Sequence, residues 1–272
     1  MNENIKVSVL LITYNNSEFV KQAIESIFMQ VTSYKFEIVV TDDCSKDSTL
    51  EVIKHYKGMY PEKIKILDNK KNVGITKNYE RGFKACSGEY IALLEGDDYW
   101  VSPYKLQIQT DFLDSHKEYS GALNRYVMYD MDSNVSRKTY SCNNFKYITI
   151  RTEDLIRSNL IGNFSSCIYR NEVIKRLDPV LFDMEVYDWM FNIAISQKGP
   201  IAYLPEVTSV YRIHSNGAWN GKSGEDKIKS IIKSCDDYNK FLRYKYNDYF
   251  LASKASYEKQ LQEFNGKSKS GD

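Results

Sequence analysis

The chain has 272 residues, with 37 Lys plus Arg against 36 Asp plus Glu and a formal net charge of +1, so no global field points to nucleic acid or to an acidic surface. That length allows one large domain, or a domain with an appendage, and a substantial core. Five scattered Cys without a CxxC pair exclude a paired zinc site and a disulfide framework, and fit reduced thiols in a cytosolic protein. The opening MNENIKVSV has no basic segment leading into a long apolar one, so no signal peptide is expected. No apolar run reaches the roughly 18 residues of a membrane span. Cytoplasmic placement is the expectation.

Strand and helix alternate through the first hundred residues. KVSVLLI (6–12) reads as a buried strand, and TYNNSEF follows as a loop in which Ser17 can cap a helix from about Glu18. FEIVV (36–40) is a second strand, and Asp47 or Ser48 can cap the helix after it. Residues 64–67 make a short third strand, residues 72–76 a loop bent at Gly74, and residues 76–86 a helix. YIALL (90–94) is a buried strand that ends abruptly in Glu95, Gly96, Asp97 and Asp98. This alternation calls for an α/β fold with a mostly parallel central sheet and helices on both faces.

Polar residues gather after three of these strands, at 13–16, 42–45 and 95–98. In open α/β sheets such positions converge on one crevice at the C-terminal ends of the strands. Adjacent Asp residues there can hold a divalent cation or accept from sugar hydroxyls, whereas the same residues elsewhere would be an ordinary surface turn. Tyr14 offers a ring face to a base, and Asp42 or Asp43 can accept an N–H from a uracil edge. The first strand is followed by neither GxGxxG nor GxxxxGK[ST], which speaks against a dinucleotide fold and a phosphate-loop NTPase.

Beyond Pro103 the rhythm becomes irregular. A helix carries Leu106, Ile108, Phe112 and Leu113, residues 122–128 re-enter the sheet, and residues 130–147 read as an exposed loop or hairpin. Residues 152–160 suit a short helix, and GNFSSCIYR (162–170) reads as a turn and a strand of structural character. VYDWMFNIAI (186–195) is helical, with Asp188 near its start, where an acid either stabilises the N-terminus or serves as a general base at the crevice mouth. GPIAYLPEVTSV (199–210) reads as two short strands around a turn, and YRIH brings His214 within reach of a cation or a phosphate. NGAWNGKSG (216–224) is a candidate lid with Gly hinges. From Glu225 to about Phe250 one long amphipathic helix is expected, packing on the main domain, with a dimer or membrane-surface contact as alternatives. The last ten residues read as frayed.

VSVLLITYNN, FEIVVTDDCSKDST, NVGITKNYERGFKACSGEYIALLEGDDYW, the Asp-Trp of VYDW and YRIH together resemble the inverting glycosyltransferases of family 2, which have the GT-A fold. The resemblance covers about residues 7–219. It implies a glycosyltransferase domain over 1–221, with a nucleotide-binding half to about residue 100 and an acceptor-binding half after it, and a helical extension over 222–272. It also implies a nucleotide sugar, commonly UDP-linked, as donor, Mn or Mg as cofactor, and an oligosaccharide or lipid-linked glycan as acceptor at the inner side of a bacterial envelope. By the same resemblance Thr13, Tyr14, Asn16, Asp42, Lys77 and Asp97 serve the nucleotide, Asp98 and His214 the metal, and Asp188 the acceptor proton. Lys77 stands where many members have Arg, Glu95 where many have Asp, and Tyr187 where many have Glu beside the base. The Gln-x-x-Arg-Trp signature of processive synthases is absent, so one sugar per encounter is expected. The alternatives are a nucleotidyltransferase, a non-catalytic carbohydrate-binding protein and a retaining enzyme of the same fold.

Overall fold

A computed structural model describes residues 4–138, 145–185, 187–217 and 219–269. Its first half is a regular alternation: β1 (Val7–Thr13), α1 (Val20–Phe28), β2 (Phe36–Asp42), α2 (Thr49–Met59), β3 (Ile64–Asp68), α3 (Ile75–Ala85) and β4 (Tyr90–Glu95). The second half holds β5 (Tyr99–Trp100), α4 (Lys105–Ser115), β6 (Gly121–Asp130), β7 (Val135–Lys138), β8 (Ile148–Ile150) and α5 (Thr152–Arg157). A 3-10 turn at Phe164–Ser166 leads into β9 (Cys167–Arg170) and α6 (Asn171–Ile174), and a second, Pro179–Asp183, precedes α7 (Asp188–Ser196) and β10 (Ile201–Ile213). Helices α8 (Gly224–Phe241) and α9 (Asn247–Lys269) follow.

The strands form one sheet in the order β3-β2-β1-β4-β9-β6-β10-β5, with β7 on β6 and β8 on β10. Strands β1 to β4 run parallel, as do β6 and β10, while β9 is inserted antiparallel between β4 and β6. The expected parallel sheet therefore holds for the N-terminal half and becomes mixed beyond it. Alternation along β1 explains the two layers: Leu10 and Ile12 join one core with α3 and α7, and Val7, Val9 and Leu11 join the other with α1, α2 and α4. Each fully buried Leu, Ile or Val in these layers contributes roughly 1.5–3 kcal/mol, so the strand sequence by itself commits the sheet to burial on both sides.

Three expected elements differ. The two short strands of 199–210 are one strand, β10, whose register against β6 shifts between Leu204 and Val207 and again between Val207 and Ser209. Pro205, which has no N–H to give, is accommodated at that irregularity instead of ending the strand. The single C-terminal helix is two, because Arg243 and Tyr244 take left-handed φ values of 53° and 59° and turn α9 back onto α8. The tail expected to fray continues α9 as far as Lys269. Cys235, Tyr238, Leu242 and Phe250 enter the same core as α3 and α7, so the extension shares the body of the fold. Cys44, Cys86, Cys167 and Cys235 are free thiols, and Cys142 lies outside the described residues. Among the described residues no helix is long and apolar enough to cross a membrane.

Lys105 is fully buried. Its Nζ donates to Gln109 Oε1 at 2.6 Å and lies 4.8 Å from the centre of the Trp100 ring. Gln109 in turn donates to the Ser166 carbonyl at 2.8 Å, and the Trp100 indole to the Ser165 carbonyl at 2.9 Å, which fixes the 3-10 turn. Burial pushes the Lys105 amine down to about 7. The folded state then holds fewer protons than the unfolded one between about pH 7 and 10.5, so the cost of the buried charge is full below pH 7 and fades as pH rises through that window. Lys105→Met is expected to raise Tm by about 2–4 °C at pH 6, as a net gain near 1 kcal/mol would. The gain should vanish by pH 10; thermal unfolding at the two pH values checks it, and a loss at pH 6 would contradict it.

Candidate active site

The loops leaving β1, β2 and β4 are laced into one rim. Parallel register sets Thr13 beside Asp42 and Ile12 beside Glu95. The Asp43 N–H donates to the Thr13 carbonyl at 3.0 Å, and the Gly96 N–H to the Ile12 carbonyl at 2.8 Å. Ser45 Oγ accepts from the Asn15 N–H at 2.9 Å, and Asp47 from the Ser17 N–H at 3.0 Å. The three polar clusters therefore meet, as their positions after parallel strands require.

Thr13 is buried and accepts from Asn16 Nδ2 at 3.2 Å. A Cβ on Gly96 would lie 2.6 Å from Thr13 Oγ1 and 2.9 Å from Asn16 Nδ2, so only glycine lets the acid turn press on this wall. Tyr14, 39 % exposed, stands open at the rim. Asp42 is buried and accepts from both the backbone N–H (2.9 Å) and the hydroxyl of Ser45, which shapes its own loop. Its neighbour Asp43 accepts from Asn69 Nδ2 (2.7 Å) and the N–H groups of Val73 and Gly74 (both 2.9 Å), fastening the chain that enters α3. Lys77 turns to Asp183 (2.6 Å) and Glu80 (3.0 Å), and is not brought to the acid turn.

In the acid turn the carboxylates have different environments. Asp98 is fully buried; Oδ2 accepts from Ser165 Oγ (2.6 Å) and Asn163 Nδ2 (3.1 Å), and Oδ1 from the Arg212 N–H (2.9 Å). Burial and the charge of Asp97 push its carboxyl up to about 7, against these three donors. Asp97 is less buried and faces His214, with Oδ2 3.3 Å from Nε2. His214 packs on Phe19 with ring centres 4.9 Å apart, and its Nδ1 is buried without a hydrogen-bond partner among the described residues. Glu95, half-buried, accepts from the Tyr79 hydroxyl at 3.0 Å; burial and then the charges of Asp97 and Asp98 hold its carboxyl well above the ordinary range. The Arg212 guanidinium bolts the turn in place: it donates to the Asp97 carbonyl and to Gln22, and lies over the rings of Tyr99 (4.4 Å) and Phe19 (5.0 Å).

Asp188 occupies the first turn of α7, partly exposed. Its Oδ1 accepts from the Trp189 N–H (2.7 Å) and Asn159 Nδ2 (3.1 Å), while Oδ2 has no protein donor among the described residues. Burial raises its pKa, opposed by those two donors. Its charge is also felt at Glu95 of the acid turn. The loop after His214 reaches the same helix. Lys222 donates to the Tyr187 hydroxyl (2.8 Å) and Glu185 (3.2 Å), and Trp219 meets the Tyr187 ring edge-to-face at 5.4 Å.

Sequence reasoning missed Asn163, Ser165, Arg212, Asn159 and Tyr79. The small polar residues of GNFSS were visible, but nothing local says that Ser165 meets Asp98 across 67 positions of chain. Arg212 gave only the signal of a cation two residues before the singled-out His214.

Solved structures share this architecture. S. aureus TarS 1–349 in complex with UDP-GlcNAc superposes with a TM-score of 0.61 at 21 % identity, over 85 % of this chain and 65 % of that one. The mannosyltransferase PcManGT from Pyrobaculum calidifontis, in complex with GDP-Man and Mn2+, gives 0.62 at 16 % identity over 89 % and 65 % of the two chains. An uncharacterized Mycobacterium tuberculosis protein is 32 % identical over 219 residues, which are 79 % of this chain; the chain spans 60 % of that relative's length. Residues 8–178, which carry the rim and the Asn163 and Ser165 donors to Asp98, match the family model described as Glycosyl transferase family 2, and the chain belongs to that family.

Proposed function

We propose that the protein moves one sugar from a nucleoside-diphosphate donor, UDP-linked by preference, to a hydroxyl of an oligosaccharide or lipid-linked glycan, with inversion at the anomeric carbon. What supports this is the family match over residues 8–178 together with Asp188, whose Oδ2 has no protein donor among the described residues and whose charge reaches Glu95 of the acid turn. Inversion demands a base on the side of the sugar away from the departing diphosphate, much as an inverting hydrolase divides its two carboxylates. Asp188 takes the acceptor proton on Oδ2 as the acceptor oxygen bonds to the anomeric carbon and the bond to the diphosphate breaks. Its raised pKa makes it a stronger base than a solvated carboxylate, and its two donors hold Oδ1 so that Oδ2 keeps its aim.

For the divalent cation, Asp98 and His214 were the residues expected. Asp98 is occupied by three protein donors, whereas the partly exposed Asp97 faces only the buried His214 among the described residues, through Nε2. Among the described residues no group of three or more His, Cys, Asp or Glu is arranged to hold a metal, so phosphate oxygens and water must complete the shell, as is usual for Mg. Asp97 and His214 fit that requirement. We assign Mn or Mg to them and give Asp98 the task of fixing the turn. When bound, the ion neutralises charge on the leaving diphosphate. Mn2+ accompanies GDP-Man in PcManGT, and UDP-GlcNAc occupies TarS, which supports a nucleotide sugar here.

On the nucleotide side, Tyr14 stacks on the base, Asp42 accepts from its edge, and Thr13 and Asn16 form the wall behind. Lys77 must leave Asp183 to meet a phosphate. A membrane surface or second copy would meet α9, where Tyr249, Leu251 and Phe264 are exposed.

Calorimetric titration with UDP-GlcNAc, UDP-glucose, UDP-galactose and GDP-mannose, with and without Mn2+, tests the donor class. At least one should bind in a Mn-dependent manner, and binding of none would overturn the proposal. Gly96→Ala pushes the turn off Thr13 and Asn16, and is expected to weaken UDP binding by about tenfold, which is about 1.4 kcal/mol. The same titration measures it; unchanged affinity would mean that the turn does not set the nucleotide wall.

A further inference from the structure

The tasks assigned so far leave the transferred sugar itself without a contact. Two tyrosines stand on neighbouring strands, Tyr126 of β6 and Tyr211 of β10, with ring centres 6.4 Å apart and planes at 87°. Tyr126 is buried, and Gly162 closes over it: a Cβ there would lie 3.0 Å from the Tyr126 hydroxyl. Tyr211 is partly exposed, and its hydroxyl accepts from Asn220 Nδ2 at 2.8 Å. Because the amide is the donor in that bond, the phenolic proton of Tyr211 is left to give.

Hydrogen bonds beside the two rings mark their places: Arg212, next to Tyr211, gives its N–H to Asp98 Oδ1, and Gly162, over Tyr126, gives its N–H at 3.3 Å to Asn159 Oδ1, whose own amide donates to Asp188. Glu95, Asp98 and Asp97 act on Tyr211, after burial, to hold its phenol above the ordinary range. Asp188 does the same for Tyr126, again after burial. The pair therefore runs from the donor side of the crevice to the base. Aromatic faces with a polar edge suit sugar rings, which present C–H patches and hydroxyls together.

We propose that Tyr211 contacts the transferred sugar of the donor, its ring against the sugar and its hydroxyl donating to a sugar hydroxyl, with Tyr126 backing the ring and Asn220 setting the hydroxyl. This rests on the nucleotide-sugar reading above. It makes Tyr211 a residue that selects the sugar without holding the nucleotide.

The test measures hydrolytic nucleotide release, water taking the sugar, from UDP-GlcNAc, UDP-glucose, UDP-galactose and GDP-mannose with Mn2+, and calorimetric affinity for UDP and GDP, in wild type, Tyr211→Ala, Tyr211→Phe and Asn220→Ala. Tyr211→Ala should lower release from the preferred donor by about tenfold or more while affinity for the free nucleoside diphosphate stays within about twofold, the split expected when one sugar contact worth about 1.4 kcal/mol is lost. Tyr211→Phe and Asn220→Ala should fall between and narrow the preference among the four donors. Release by Tyr211→Ala within twofold of wild type would overturn the contact. Equal loss of release and of diphosphate affinity would also overturn it, by showing that Tyr211 supports the nucleotide site instead. No release by wild type from any donor would overturn the nucleotide-sugar reading and the contact together.

Discussion

Asp188→Asn is expected to lower sugar transfer by about 100- to 10,000-fold, the usual contribution of a positioned proton acceptor, while UDP affinity changes by less than about twofold. Asn is close to isosteric, so its carbonyl can keep the bonds from the Trp189 N–H and Asn159 while the amide that replaces Oδ2 has no lone pair for a proton. The pH profile adds a second signature. Burial raises the folded pKa of Asp188, so the base is lost as pH falls through that raised value, and the acid limb of the rate should lie above the ordinary carboxylate range. The sign for stability runs the other way. An acid whose folded pKa is raised loses stability as pH rises from the unfolded value of 3.8 through the raised one, and the cost is full above it, so Asp188→Asn should hold or raise Tm at neutral pH. Turnover, UDP titration and thermal unfolding on one preparation check all three; parallel loss of UDP binding and transfer would remove the base role.

Asp97→Ala is expected to abolish most of the Mn-linked gain in UDP affinity, about tenfold or more, with little change in Tm, because among the described residues its partly exposed carboxylate faces only His214. Asp98→Asn should do the opposite. An amide at 98 directs N–H groups at Ser165, Asn163 or the Arg212 N–H, leaving buried donors unpaired at a cost of about 1–3 kcal/mol and lowering Tm, while the Mn-linked gain in the folded fraction survives. Thermal unfolding and UDP titration with and without Mn2+ separate the two. Loss of the Mn-linked gain in Asp98→Asn at unchanged Tm would return the ion to Asp98.

How far the sequence led depends on the range of the interactions concerned. The βα alternation was legible because Val9, Leu11 and Ile38 sit in short apolar runs bounded by polar clusters, a local signal. Convergence of Thr13, Asp42 and Glu95 on one rim followed from strand direction alone. The different surroundings of Asp97 and Asp98 within GDD did not, since the two are chemically identical neighbours. They are told apart only by Ser165, Asn163 and Arg212, which arrive from remote parts of the chain. Length alone made 199–210 look like two strands, because Pro205 is read as a stop when no neighbouring strand is in view to absorb a shift in register. The break between α8 and α9 was hidden for a different reason: Arg243 and Tyr244 in left-handed conformation carry no glycine to announce the turn. Lys77, picked out by its place in a motif, answers to Asp183 across 106 positions, a partner that no pattern in the N-terminal half contains.

Hydrolytic nucleotide release from a nucleotide sugar, with water taking the sugar in place of the glycan, followed with Mn2+ for wild type and Asp188→Asn under identical conditions, tests the central claim most directly. The proposed chemistry predicts release by wild type from at least one of the four donors, and its near-complete loss in a variant that still binds UDP. Equal rates in the two proteins, or no release by wild type from any of the four, would contradict it.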